Sequence, residues 1–443
     1  MRNVLLLCCL PWLAQAADAV QYTVVDDHLG WGWQAHVIRN DYITLALVPA
    51  IGGRVMQYDL QDHPFLWVNP AEIGRTYEPA ADGVWHNFGG YKSWVAPQGN
   101  WRRGMGGWPP APTLDSGLYT ITMTKGESGE ITLVATSPRE TFAEWQAKDL
   151  SLTRTLTVYP GSTRVRVEQR ITNHGTAPQI VSNWDVTQIP GTHAGLDDPE
   201  TCWVYFPINT RSMFGERGYF TFPGSNRAYA DSQWSNLMGD NIAAVNYLRR
   251  TGKIGADVVG GWVASVDSRH GFTYVKRFSV EKAPEPATYP EGGSSLQVFT
   301  SGKEPYVEVE VLGPLVDLAP NQSTNFVIDW YSTHIDGPIL RATDAGVCKR
   351  RVSVQVTDKL AHVRGLFGVF QGGTIELLAM PGTDAKQNKP TSLGSYYVTP
   401  LEAMPLDVEV RLPNGTTHVM AIVRDAMGKE IGELDRALVP ANK

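Results

Sequence analysis

Cysteine is scarce in this 443-residue sequence: there are four, and Cys8 and Cys9 fall inside the first apolar run. Beyond that run at most one disulfide is possible, Cys202 with Cys348, and two separate buried thiols are the alternative. The ten histidines are scattered. None stands at metal-ligand spacing from a cysteine or a second histidine, so no zinc site is expected. A Gly-x-Ser-x-Gly elbow and a phosphate-binding glycine loop are both missing, which argues against a nucleotide cofactor. No Lys/Arg stripe accompanies the formal charge of −7, so nucleic acid is not an expected partner. Long apolar stretches are lacking too. The run from Val4 to Leu13 is shorter than the roughly 20 residues a membrane span needs.

That first run reads instead as part of an export signal. Arg2 supplies a positive charge, Val4 to Leu13 the apolar segment, and Ala14-Gln15-Ala16 the small residues a signal peptidase accepts. Residues 1–16 are therefore expected to be a signal peptide, with a mature chain from Ala17 that is periplasmic or extracellular.

What the sequence does hold is glycine, proline and tryptophan, at 43, 29 and 14 residues. Gly/Pro turns that separate short alternating segments point to an all-β chain. Leu150, Leu152, Leu156 and Val158 alternate with Thr153, Thr155 and Thr157. After Pro160-Gly161, Val165, Val167 and Ile171 alternate with Arg164, Arg166, Glu168 and Arg170. This is the pattern of an antiparallel hairpin with one wet face. Further strands are expected at Tyr42–Val48, Ile131–Thr136, Gln179–Trp184, Phe272–Phe278, Tyr306–Leu312 and Asn325–Tyr331, and one short helix near Asp240–Arg250. A boundary near Thr343–Cys348 divides a large domain, 17–343, from about a hundred residues of hairpins, 348–443. The latter suggest a small immunoglobulin-like β-sandwich.

Two segments carry candidate chemistry. Trp85 to Asp115 reads mostly as loop and gathers Trp85, His86, Lys92, Trp94, Gln98, Trp101 and Trp108. Aromatic faces beside fixed polar groups suit a pyranose ring, and a well-packed loop is the plainer alternative. On the strand Tyr306–Leu312, Glu308 and Glu310 share one face, roughly 6.5–7 Å apart. Lining a cleft, one carboxylate would stay ionised and push its neighbour toward neutrality, a base and acid pair. On an open face both would simply be solvated.

Pro49-Ala-Ile-Gly52-Gly53-Arg54, the Gly-Gly-Tyr-Lys92, Trp94-Val-Ala-Pro-Gln98 and Trp108-Pro-Pro elements, Tyr274–Phe278 and Glu308-Val-Glu310-Val-Leu-Gly-Pro314 resemble one family. It is a group of secreted bacterial proteins on the galactose-mutarotase-like (aldose epimerase-like) antiparallel β-supersandwich, and the resemblance spans Tyr22 to Arg341. It implies a carbohydrate ligand, no cofactor, Glu308 as base and His86 as a sugar-contacting histidine. Arg54, Lys92, Trp94, Gln98, Trp101, Lys276 and Glu310 would then contact substrate. Where such epimerases carry their acid histidine, this chain has Trp184-Asp185, so Asp185 with a raised pKa would have to serve. Three functions remain open: epimerase-like proton transfer, glycan binding without catalysis, and a polysaccharide lyase using Lys92, Arg102 and Arg103 with Tyr91 or His86 as base. The sugar and the oligomeric state are left open.

Overall fold

The computed structural model describes residues 19–80, 82–103, 107–191, 201–222, 234–237, 241–280, 288–357, 360–382 and 389–440. The expected signal peptide lies outside the described residues, and among the described residues no helix is long and apolar enough to cross a membrane. The architecture is all-β and antiparallel, as expected. A twelve-stranded sheet runs Gln21–Val25, Ala35–Arg39, Ile43–Val48, Arg54–Leu60, Tyr91–Ala96, Gln179–Pro190, Tyr306–Leu312, Leu296–Thr300, Gly252–Ala256, Tyr219–Thr221, with two short strands off this path. A ten-stranded sheet stacks against it. Its order is Trp234–Leu237, Ile242–Asn246, Cys202–Pro207, Trp262–Asp267, Phe272–Phe278, Ser323–His334, Val165–Asn173, Leu150–Val158, Ile131–Thr136, Thr120–Lys125.

The core between the sheets comes from the alternation read in the sequence. Leu156 and Val158 pair with Val167 and Val165 across the expected hairpin and point inward. Val307, Val309 and Val311 enter the same core from the other sheet, which places Glu308 and Glu310 on that sheet's outer face. Tyr58, Tyr91, Tyr274 and Trp330 fill the centre.

Two expectations are corrected. Asp240–Arg250 holds no helix: Ile242–Asn246 is a strand paired with Cys202–Pro207. Ile242 and Ala244 enter one apolar cluster while Ala243 and Val245 enter another. A strand buried on both faces loses its period-two signal and cannot be told from a helix by periodicity. The segment from Trp85 to Asp115 is less of a loop than expected, because Tyr91–Ala96 is an interior strand of the twelve-stranded sheet. Its entry needs glycine. Gly90 has φ +67°, and a Cβ there would stand 2.4 Å from the Val55 carbonyl oxygen.

The C-terminal region forms two four-stranded sheets: Arg341–Ala342, Gly346–Thr357, Leu360–Val369, Met404–Val410, and Thr391–Val398, Gly373–Pro381, Thr416–Asp425, Glu430–Leu438. Val363, Phe367, Ile375, Leu377, Val419, Ala421 and Leu434 give it a core of its own. It covers the outer face of the ten-stranded sheet, where Tyr205, Trp262, Val275 and Tyr331 meet Val347 and Phe370. The rings of Tyr331 and Phe370 stack at 4.4 Å.

Cys202 belongs to the large core and Cys348 to the C-terminal one, and both are free thiols. The disulfide alternative is therefore not formed. Burial pushes the Cys202 thiol up to about 12 and raises Cys348 as well. Little thiolate exists at neutral pH. A chain beginning at Ala17 should show no fast reaction with a thiol reagent at pH 8 until denaturant exposes both sulfurs. Its thermal midpoint should not move with added reductant.

Candidate functional site

The candidate site lies on the outer face of the twelve-stranded sheet. Register brings its members together: Gln188 is opposite Glu308, Val186 opposite Glu310, and Trp184 opposite Leu312. On the other side of the same strand, Lys92 is opposite Val186 and Trp94 opposite Trp184. Residues two apart on Tyr91–Ala96, Gln179–Pro190 and Tyr306–Leu312 thus build one surface.

Three cation–carboxylate pairs organise it. Arg54 Nη2 donates to both oxygens of Asp115, at 2.9 and 3.0 Å, with the guanidinium fully buried. Lys92 Nζ donates to Glu308 Oε1 at 3.1 Å. Lys253 Nζ donates to Glu310 Oε2 at 3.0 Å. Gln188 Nε2 adds a second bond to Glu308 Oε1 at 2.9 Å, and Trp184 Nε1 a second to Glu310 Oε2 at 2.8 Å. Among the described residues none donates a hydrogen bond to Glu308 Oε2, and the side chain keeps about 10% of its surface open. Glu310 is enclosed, and its Oε1 has no partner. Burial raises its pKa; the Glu308 charge adds to this and Lys253 opposes it. Burial lowers the pKa of Lys92, against the pull of Glu308.

Tryptophan surrounds these pairs. Trp85, Trp94, Trp101, Trp108 and Trp184 form one cluster, with ring centroids 4.7 to 6.3 Å apart in the contacting pairs. Most of the contacts are edge-to-face. Trp94 and Trp85 direct their N–H groups to Asp115, at 2.7 and 3.1 Å. Lys92 lies over the ring of Trp94 at 4.7 Å and that of Trp85 at 5.9 Å. Trp94 and Trp101 are buried, whereas Trp108 is 47% exposed and Trp85 half-buried. Trp94 and Trp101, singled out from sequence as sugar platforms, are therefore the underlayer, and the rings open to solvent are Trp108 and Trp85.

The structure brings Arg54, Lys92, Glu308, Glu310, Trp94 and Trp101 together; Asp185 and Lys276 do not join them, and His86 stands at the edge, beside Trp85 and Asp115. Asp185 is one residue out of phase with Trp184 and Val186, so it points into the core between the sheets. There it pairs with Lys276, which also donates to the Val309 carbonyl at 2.7 Å, and accepts from Gln169 at 2.9 Å. Burial raises the Asp185 pKa, as an acid would require, but on the face opposite Glu308. Lys276 cannot reach an outer-face ligand for the same reason. His86 stacks on Tyr77 at 3.4 Å and lies 3.7 Å from Glu72. It lines a recess of about 220 Å³ with Tyr77, Glu78 and Trp145 and with two members of the site, Trp85 and Asp115. Gln98 is committed through its backbone N–H to Glu291. Tyr91, one base considered for a lyase, points inward to Ser93 and Arg154. Among the described residues no group of three or more His, Cys, Asp or Glu could hold a metal ion.

Sequence reasoning missed Asp115, Gln188 and Lys253. Gln188 was within reach, since it lies four residues after Trp184 and shares its face. Asp115 closes the tryptophan-rich segment but was not singled out within it, and Lys253 arrives from a distant segment where nothing local marks it. Asp115 is delivered by the short helix Pro112–Ser116 against Gly52, where φ is +78° and a Cβ would lie 1.9 Å from the Asp115 carbonyl.

Because Asp185 is structural, Asp185→Asn should leave Lys276 buried and uncompensated. The expected loss is about 3–5 kcal/mol in urea unfolding, with ligand binding on the outer face retained in the folded fraction.

No protein-family profile matches the chain, and no curated protein does. Solved structures similar to it include a Synechocystis protein at 15% identity, covering 75% of this chain and all of that one, with a TM-score of 0.43. A galactose mutarotase-like protein from Clostridium acetobutylicum is 11% identical over 71% of this chain and 98% of its own, with a TM-score of 0.43. A second galactose mutarotase-like protein, from Lactobacillus casei, is 12% identical over 67% of this chain and 99% of its own, also at 0.43.

Proposed function

We propose that this chain is an exported carbohydrate-active protein that binds a sugar on the outer face of the twelve-stranded sheet. Glu308 takes the anomeric hydroxyl proton, as in aldose epimerisation. The observation that carries this reading is the asymmetry of Glu308. Lys92 and Gln188 fix one oxygen, and the other is open and unpartnered beside the tryptophan cluster. A carboxylate locked by two donors on one oxygen is oriented to accept a proton on the other. Trp108 and Trp85 offer the aromatic faces that a sugar ring covers.

A second reading, glycan binding without turnover, is favoured by one observation: neither Asp185 nor His86 reaches Glu308. The lyase reading is weaker on this face, because Arg54, Lys92 and Lys253 are each already paired with a carboxylate, while Arg102, one of the cations considered for it, lies over the Trp145 ring at 5.0 Å. A uronate would find those cations engaged.

Binding should be screened by calorimetry and thermal shift against neutral, amino and uronic sugars and their oligomers, each binder then being followed by polarimetry and NMR exchange. Glu308→Gln is expected to bind within a few-fold of wild type while interconversion falls by roughly 10²-fold or more. Trp108→Ala should weaken binding several-fold without unfolding the chain, since that ring is half exposed. Binding with no interconversion in wild type would select the glycan-binding reading. Binding of uronates alone would revive the lyase.

A further inference from the structure

Opening a sugar ring at its anomeric carbon needs an acid as well as a base, and the residue that sequence offered for it, Asp185, faces the wrong side of the sheet. Among the described residues, the side chains that hydrogen-bond Glu308 are Lys92 and Gln188. Only Lys92 carries a proton it can give up. Its ammonium has three N–H groups. One goes to Glu308, and the rings of Trp94 and Trp85 lie around the rest without accepting a proton. A ligand hydroxyl on the open Glu308 oxygen would therefore sit within one carboxylate's width of the Lys92 nitrogen.

We propose that Lys92 is the general acid of this site, protonating the ring oxygen while Glu308 deprotonates the anomeric hydroxyl. This rests on the reading of Glu308 as base. In the forward step the O1–H proton passes to Glu308 Oε2 and the C1–O1 carbonyl forms. The C1–O5 bond breaks with its electron pair on O5, which takes a proton from Lys92. Rotation about C1–C2 turns the other carbonyl face to O5. In the return step O5 attacks C1 and gives its proton back to Lys92, and Glu308 returns its proton to O1. No oxidant, reductant or net proton is required. The direct contact between Lys92 and Glu308 lets the pair reset internally should the ring-opened sugar leave.

Glu310 is the competing acid, and its burial suits a protonated carboxyl. It lies one same-face step further along the strand, with Trp184 and Lys253 on its Oε2, and since Lys92 is nearly as enclosed, it is contact with the base that separates the two. Lys92 touches the base directly and Glu310 does not. The charged groups facing Lys92 are Glu308, Arg54 and Asp115, and burial outweighs the two carboxylates in lowering its pKa. A lysine so placed releases its proton more readily than one in water.

The test is interconversion of whichever sugar wild type turns over, with Lys92→Arg, Lys92→Gln, Glu310→Gln and Glu308→Gln compared by polarimetry and NMR exchange. Arginine keeps the positive charge beside Glu308 but does not give up a proton. Lys92→Arg should therefore bind within about threefold of wild type and lose on the order of 10²-fold in rate. The wild-type rate should fall on the alkaline side with a limb below a lysine's ordinary 10.5, because the acid must be protonated. Glu310→Gln should keep the alkaline limb whatever its rate, because that limb belongs to Lys92. Lys92→Arg keeping more than a tenth of wild-type activity would overturn the proposal, as would disappearance of the alkaline limb in Glu310→Gln. If Lys92→Gln does not fold, the arginine variant and the pH limb decide the matter. Failure of the underlying reading looks different: Glu308→Gln would keep its rate, or no bound sugar would be converted by wild type at all.

Discussion

The pairing of Gln179–Pro190 with Tyr91–Ala96 on one side and Tyr306–Leu312 on the other is the constraint from which the site follows. A strand shows alternate residues to alternate faces, so one register decides every assignment at once. Trp184, Val186 and Gln188 go outward with Lys92, Trp94, Glu308 and Glu310. Asp185 and Thr187 go inward with Tyr91, Ser93, Val309 and Val311. Turning the three strands over by one residue would exchange the two sets, putting Lys92, Glu308 and Glu310 into the apolar core and the valines outside it. The inward valines fix the register, and the outward charges are placed by it.

Charge is unusually deep on both faces of this sheet. Lys276 and Asp185 are fully enclosed between the sheets, and Arg54 and Lys92 are almost as buried under the tryptophans. Each such ion loses several kcal/mol of hydration, which its partner recovers only with good geometry. On the inner face Lys276 and Asp185 are tied to each other, to the Val309 carbonyl and to Gln169, although Arg154 Nε and Trp330 Nε1 there have no acceptor. On the outer face oxygens of Gln188, Glu310 and Gln297 are left without donors.

The fold was legible where a strand alternates apolar with polar residues, whether its polar side is wet or covered. The hairpin around Pro160-Gly161, and the strands Ile131–Thr136, Phe272–Phe278 and Tyr306–Leu312, lie where alternation placed them. It was illegible where both faces are apolar, as at Ile242–Asn246, or where glycine and aromatic residues mask a strand, as at Tyr91–Ala96. In the site, Glu308, Glu310, Lys92 and Arg54 could be picked out from their own segments. Asp185 was misjudged for a reason local sequence cannot supply: it is adjacent to site residues in the chain, and adjacency on a strand means opposition in space. Asp115 and Lys253 depend on contacts made more than fifty residues away, Asp115 with Arg54 and Lys253 with Glu310.

The C-terminal sheets have a bearing on how the large sandwich could exist alone. They occupy the outer face of the ten-stranded sheet with Val347 and Phe370 against Trp262, Val275 and Tyr331. A protein cut near residue 343 would present that aromatic and aliphatic surface to water, a patch of the kind that drives self-association. The two-sheet appendage keeps that surface from water. It also closes one broad face of the large sandwich, and the tryptophan cluster lies on the opposite one.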